Sequence, residues 1–335
     1  MVRPVNSTTQ DRLSLVDEGY HEERDEFGEH VRAGLTANPK RLSSRFLYDH
    51  EGALLFERIC TLPEYYPTRA EREILERNAD EIAASFEAPP ALVELGSGSA
   101  TKTRILIESF LRRFSELHYI PVDVSREMLE ASATALVDDY DDLNVTGFVG
   151  EYGDGLRFAH QLNDGPMCVL WLGSSVGNLH RDEAAEFLRC IRETVTSGDR
   201  LLMGVDLRKD RETLERAYDD SQGVTAKFNR NILARINREL GGEFEPRLFR
   251  HRARYLEEPG RVESHLVSTQ AQEVRIRRLG LRVGFSENEA IHTENSYKYS
   301  EAEIDELAGI SNFQVGQRWF DSAHRFSVNL LGPAD

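Results

Sequence analysis

The sequence predicts an α/β protein: an open, doubly wound, mostly parallel sheet that ends in an antiparallel hairpin, with a second α+β lobe set into it. Three observations predict it. Short apolar runs alternate with helix-length amphipathic segments between residues 92 and 205, the pattern of successive βα units. The first run stops at a glycine-rich turn containing Gly96 and Gly98, as a strand entering a helix beside a ligand does. Two further apolar runs, 313–320 and 326–331, flank a short polar turn near the C-terminus and read as a hairpin.

In chain order, residues 1–21 are polar and unpatterned and are expected to form a disordered tail, with a short helix entering the fold just after it. Leu55, Phe56 and Ile59 make a helical stripe, and Pro63 and Pro67 bracket an irregular segment that carries Tyr65 and Tyr66. A helix is expected over 69–86, strands over 92–95, 119–122, 145–149, 167–172 and 201–205, and helices over 103–113, 126–138 and 181–195. The alternation then breaks. Residues 209–240 read as helical, 261–268 and 273–277 as strands, 291–299 as a polar, aromatic stretch, and a helix starts at 301. The sheet domain is therefore assigned to 70–208 and 299–335, and the second lobe to 22–69 and 209–298, lying over the strand C-termini where ligands of open α/β sheets bind.

Composition narrows the function. With 40% hydrophobic and 30% charged residues the chain reads as an ordinary globular protein, and no apolar run approaches the roughly 20 residues of a membrane span. The start has no apolar signal core, so the cytoplasm is the expected compartment. Cys60, Cys168 and Cys190 show neither a disulfide framework nor zinc-ligand spacing, so no metal is expected. Against 41 basic side chains stand 58 acidic ones, a net charge of −17 that repels phosphate backbones. The expected partner is a small molecule, with no nucleic acid and no membrane.

The glycine turn and Asp123, which ends the next apolar run, together describe a nucleoside site: free backbone N–H groups on one side and a ribose acceptor on the other. Dinucleotides and S-adenosylmethionine both use it. Lys102 stands where a dinucleotide turn carries a small residue, and Glu94 suits a sulfonium ligand with a free amino group better than a pyrophosphate, so the turn leans toward the second.

Several longer strings resemble the histidine-specific Nα-methyltransferases of ergothioneine biosynthesis. They are Tyr48-Asp49 with Gly52; 62–69, which holds Tyr65; 94–104; 121–125; 172–179, with Gly173 and Asn178; Tyr218 with 223–229; 237–241; and 292–299, with Glu294 and Ser296. The resemblance implies a Rossmann-like class I methyltransferase fold, S-adenosylmethionine as methyl donor, and a monomer. It implies cofactor contacts from Tyr48, Gly96, Lys102, Asp123, Glu151 and Tyr152, the last two replacing the usual Asp-Phe pair beside the adenine. For the amino-acid substrate it implies Tyr65, Gly173, Asn178, Tyr218, Glu294 and Ser296.

Glu294 and Ser296 alternate along an extended segment and so face the same way, offering a carboxylate and a hydroxyl to an imidazole. Glu294 on its own would also favour the cationic ring. No general base is assigned. Ser264 stands where the family usually places Met, which is expected to open space beside the ring. The alternatives are Nα-methylation of tryptophan or tyrosine, a dinucleotide-dependent oxidoreductase, and a non-catalytic module that binds S-adenosylmethionine or an amino acid.

Overall fold

A computed structural model describes residues 12–17 and 23–334. The chain begins with β1 (Leu13–Asp17), α1 (Glu23–Thr36), β2 (Lys40–Arg41), α2 (His50–Cys60) and α3 (Pro67–Ala84). The βα units follow: β3 (Ala91–Leu95), α4 (Thr103–Phe114), β4 (Leu117–Asp123), α5 (Arg126–Asp139), β5 (Leu143–Val149), α6 (Tyr152–Leu162), β6 (Met167–Trp171), α7 (Arg181–Thr194) and β7 (Arg200–Asp206). The insertion comprises α8 (Arg211–Tyr218), α9 (Val224–Leu240), β8 (Phe249–Leu256), β9 (Arg261–Ser268), β10 (Gln272–Ile276), β11 (Leu281–Phe285) and β12 (Ala290–Tyr297). The chain closes with α10 (Glu301–Ile310), β13 (Phe313–Phe320) and β14 (Phe326–Pro333).

The large sheet runs β1-β5-β4-β3-β6-β7-β14-β13. Its strands from β1 to β7 are parallel, β14 pairs antiparallel with β7, and β13 closes the hairpin. Every residue of β3 and β6 is buried, as strands covered by helices on both faces must be. Two apolar clusters, one built on Phe110, Leu106 and Tyr119 and the other on Trp171, Val122 and Leu188, fill the opposite faces. β3 pairs with β4 on one side and β6 on the other, so the strand order reverses there and a crevice opens at the strand C-termini.

One expectation is corrected. Residues 13–17 of the supposed tail form β1, which pairs in parallel with β5 from Leu13 opposite Val145 to Asp17 opposite Val149. The alternation of Leu13, Leu15 and Asp17 with Ser14 and Val16 is too short and too mixed to show a strand until β5 supplies its partner. Residues 1–11 and 18–21 of that tail lie outside the described residues.

The second lobe is a four-stranded sheet, β2-β12-β9-β8, that packs on α8 and α9. Of its strands, β8 is unforeseen, as is β11 in the β10-β11 hairpin; the alternating Arg250, Arg252 and Arg254 dilute the apolar signal of β8, and Arg282 and Gly284 that of the five-residue β11. The polar, aromatic stretch is β12 itself. A bulge falls between His292, opposite His265, and Glu294, opposite Ser264. The extra residue, Thr293, turns Glu294 and Ser296 to the inner face while His292 remains with His265 on the outer one, their rings 5.3 Å apart.

Candidate active site

The crevice is a cavity of about 1430 Å³ between the two lobes, and all twelve residues expected at the site line it. At one end lies the turn after β3. Gly96 and Gly98 hold φ of +80° and +49°, conformations that a side chain resists, and a Cβ at Gly98 would meet nothing within 4 Å. The main chain is thus bare toward the cavity. Asp123, at the C-terminus of β4, accepts from Gly98 N at 2.9 Å and from Ser125 N at 2.9 Å, which fixes both carboxylate oxygens while leaving lone pairs for a diol. Glu151 stands at the N-cap position of α6 without a side-chain capping bond, and the Tyr152 hydroxyl sits 2.4 Å from where a Cβ on Gly96 would lie. The hydroxyl that Tyr152 adds to the family's usual ring thus depends on a glycine at 96.

Glu94 is buried beneath this turn, with Thr103 Oγ1 donating to its two oxygens at 2.7 and 2.8 Å and the Tyr119 hydroxyl donating to it as well. Burial pushes its pKa up to about 7 despite these donors. The bare turn, the diol acceptor and a buried acid beside them fit a nucleoside ligand that carries a cationic amino-acid tail.

The middle of the cavity turns on a residue that sequence reading missed. Glu71, wholly buried on α3, is ion-paired with Lys102, and its Oε1 accepts from Gly173 N at 2.7 Å. A Cβ at Gly204 of β7 would lie 2.0 Å from that oxygen, so the strand leaves a slot for the carboxylate. Burial alone would lower the Lys102 pKa, but Glu71 outweighs it and raises it. Glu71 shares the buried helix stripe of Ile74 and Leu75, where an unpaired carboxylate does not persist, but the sequence does not name the partner that pairs it.

At the far end an aromatic wall gathers side chains from the two separate segments of the second lobe, 22–69 and 209–298. Tyr48 packs edge-on against Phe56 at 5.4 Å and Phe228 at 5.2 Å, and Tyr65 meets Phe56 at 6.2 Å and Tyr218 at 6.1 Å. Burial, then the nearby Glu294, holds the Tyr48 phenol well above its usual pKa, so it stays neutral. Asn178 ends the short 3₁₀ turn after β6, which seats against β12: a Cβ at Gly177 would come within 2.7 Å of Tyr297 O.

Opposite the wall, Glu294 and Ser296 point inward from β12, and the Tyr218 hydroxyl and Ser296 Oγ are 2.7 Å apart. Burial raises Glu294 to about 7 even though Ser264 Oγ donates to its Oε2 at 3.3 Å. Ser264 is itself buried, and its hydroxyl is engaged with Glu294. In place of a methionine side chain, Ser264 thus presents a hydrogen-bond donor to the carboxylate.

With this geometry in view, the profile of the histidine-specific, S-adenosylmethionine-dependent methyltransferases matches residues 27–333. The chain belongs to that family. It is 40% identical to the histidine N-alpha-methyltransferase of Mycolicibacterium smegmatis, over 90% of this chain and 92% of that protein. It is 33% identical to ergothioneine biosynthesis protein 1 of Neurospora crassa over 88% of this chain, which spans 33% of that longer protein. An L-tryptophan methyltransferase of Psilocybe serbica is 28% identical over 90% of this chain. Family membership makes the chain an enzyme that uses S-adenosylmethionine, and the dinucleotide reading is set aside. Among the described residues, no helix is long and apolar enough to cross a membrane, and no cluster of three or more His, Cys, Asp or Glu is placed to hold a metal ion.

Proposed function

We propose that this enzyme trimethylates the α-amine of L-histidine, giving hercynine, an ergothioneine precursor, as a monomer in the cytoplasm and without a metal. The observation that carries the proposal is the joint placement of Asp123 and Lys102 at one end of a single cavity and Glu294 and Ser296 at the other. Bound S-adenosylmethionine supplies an electrophilic methyl group on a sulfonium. Asp123 would hold its ribose hydroxyls, Lys102 its carboxylate, and Glu151 and Tyr152 would flank its adenine, with Gly96 and Tyr48 completing the contacts.

The remaining work falls to residues that grip the amino acid. Asn178 and Tyr218 are placed to donate to its carboxylate, and the Gly173 carbonyl to accept from its amine, while Tyr65 closes the wall. A displacement at carbon needs the amine lone pair in line with the methyl group, so positioning supplies most of the acceleration and no side chain need form a bond. The aromatic faces of Tyr48, Tyr65 and Phe228 suit the positive charge that persists as the amine gains methyl groups. Glu294 suits an imidazole N–H, a charge-assisted contact worth about 1.5–3 kcal/mol that an indole or phenol placed there would not match in the same position.

The test is a mass-spectrometric assay of the purified protein with S-adenosylmethionine and each standard amino acid in turn. Gains of one, two and three methyl groups on histidine alone are expected. Methylated tryptophan or tyrosine in place of histidine would overturn the reading, and cofactor binding without any product would point to a non-catalytic module.

A further inference from the structure

Behind the substrate end of the cavity lies a charge that the proposed reaction leaves unused. Lys298, just beyond β12, and Asp206, at the end of β7, are both 0% exposed, with Lys298 Nζ 2.7 Å from Asp206 Oδ2. The same ammonium donates to the Tyr218 hydroxyl at 2.8 Å and to Ser296 Oγ at 2.8 Å. Asp206 is further held by Lys209 Nζ at 2.6 Å and the Tyr66 hydroxyl at 2.8 Å. Burial opposes the charge on Lys298, but Asp206 overrides it and raises its pKa. An ammonium has three N–H groups, and these partners use all of them. Lys298 therefore acts on a ligand only through Tyr218 and Ser296.

Its effect follows from counting hydrogens. Tyr218 and Ser296 carry two hydroxyl hydrogens, and Lys298 occupies a lone pair on each oxygen. With nothing in front of them, their 2.7 Å contact uses one hydrogen. Two acceptors arriving from the cavity can take both. In either state the pair shows the cavity a hydrogen with an ammonium behind it. The groups that face this spot are Glu294 from the same strand, Tyr48 and Tyr65 from the N-terminal segment, and, from behind, Asp206, Lys209 and Tyr66.

We propose that Lys298 is a positioning residue that makes Tyr218 and Ser296 hydrogen-bond donors toward the cavity, so that the site takes histidine as its carboxylate with a neutral imidazole. This rests on the histidine reading above. Glu294 accepts the ring's single N–H, and Ser296 donates to the other ring nitrogen. An imidazolium would set a second N–H against a donor, so Lys298 reverses the preference for the cationic ring that Glu294 alone would give. One tautomer is selected as well.

Histidine turnover by the wild type is measured first, and its absence overturns both readings, whereas the variants test this one alone. Lys298→Met is expected to raise the histidine KM at least tenfold, to change kcat less, and to leave the S-adenosylmethionine Kd within twofold. In a background carrying both Tyr218→Phe and Ser296→Ala, where Lys298 has no hydroxyl through which to reach the ligand, the same substitution should change KM less than threefold. An equal rise in both backgrounds, or an equal loss of cofactor affinity, would overturn the proposal. Should Lys298→Met fail to fold, the wild type decides. Hercynine, whose amine no longer titrates, is titrated calorimetrically into the complex with S-adenosylhomocysteine at pH 7, in two buffers of different ionisation enthalpy. Net proton release is expected, because the ring, near its ordinary pKa of about 6.5, and Glu294, raised to about 7, must both be deprotonated. No release, or uptake, overturns it.

Discussion

The two ends of the cavity are built by different means. The end proposed to hold the cofactor is a turn of main chain: bare backbone at Gly96 and Gly98, braced by Asp123 from the neighbouring strand. The end proposed to hold the substrate is built mostly of side chains. Tyr48 and Tyr65 come from between β2 and β3, Tyr218 from the first insertion helix, and Glu294, Ser296 and Lys298 from the last insertion strand or just beyond it, and side-chain contacts join them. A ligand shared by many enzymes needs only the geometry that every βα turn provides, whereas reading one amino acid needs donors and acceptors assembled from distant segments. The first end should tolerate change in the insertion, and the second should not.

The sharpest challenge to this division is Glu71, which touches both ends through Lys102 and Gly173 N. Removing one partner of a buried pair leaves an uncompensated charge and costs about 3–5 kcal/mol; the lower figure suits Lys102, which is partly exposed. Glu71→Ala is therefore expected to lower stability by about 3 kcal/mol in urea denaturation, and to weaken S-adenosylmethionine binding and histidine turnover together. If only one of the two is lost, the ends are independent and Glu71 serves a single one. Glu294→Ala should separate them: histidine kcat/KM falls about ten- to a hundredfold, in line with a charge-assisted hydrogen bond, while the cofactor Kd stays within about twofold. Comparable losses in both would mean that Glu294 holds the cavity together rather than reading the ring. Asp123→Asn is the mirror experiment, with a roughly tenfold loss of cofactor affinity, at the lower edge of a charged contact, and an unchanged histidine KM at saturating cofactor. An unaltered cofactor Kd would take Asp123 off the ribose.

The same division explains what the sequence disclosed. The turn after β3 and its neighbour Asp123 were legible because the parts are local: an apolar run, two glycines and an acid at the next strand's end have one common geometry. The hairpin of β13 and β14 was legible for the same reason. The residues proposed to hold the substrate came only through resemblance, since nothing in a Glu-x-Ser spacing says that a bulge at Thr293 will turn it inward. Glu71, Asp206 and Lys298 stayed hidden because their meaning is pairwise: each is an ordinary charge in the sequence and becomes a buried ion pair only when α3 meets α4, or when β7 meets the end of β12. Strand β1 depended likewise on a distant partner, β5.

The smallest expected effect compares the ends by pH. Glu94 beneath the cofactor turn and Glu294 at the substrate end are both raised to about 7, chiefly by burial. A carboxyl whose folded pKa lies above its unfolded value of about 4.3 binds more protons in the native state. Its contribution to stability is complete below the unfolded value and is lost as pH rises through about 7. Other groups oppose this, notably Glu303, which is held down at about 2 by its bonds to Arg208 and Ser300 N despite partial burial. The wild-type profile therefore mixes signs, and the difference against a single variant is the informative quantity. Relative to wild type, ligand-free Glu294→Gln should gain stability as pH is raised from 5.5 to 8, read as a rising difference in urea midpoints. Saturating histidine should shrink that gain, because only the carboxylate is matched to the ring N–H. A pH-independent difference would mean that Glu294 is already ionised in the empty cavity, and that the substrate end is charged before its ligand arrives.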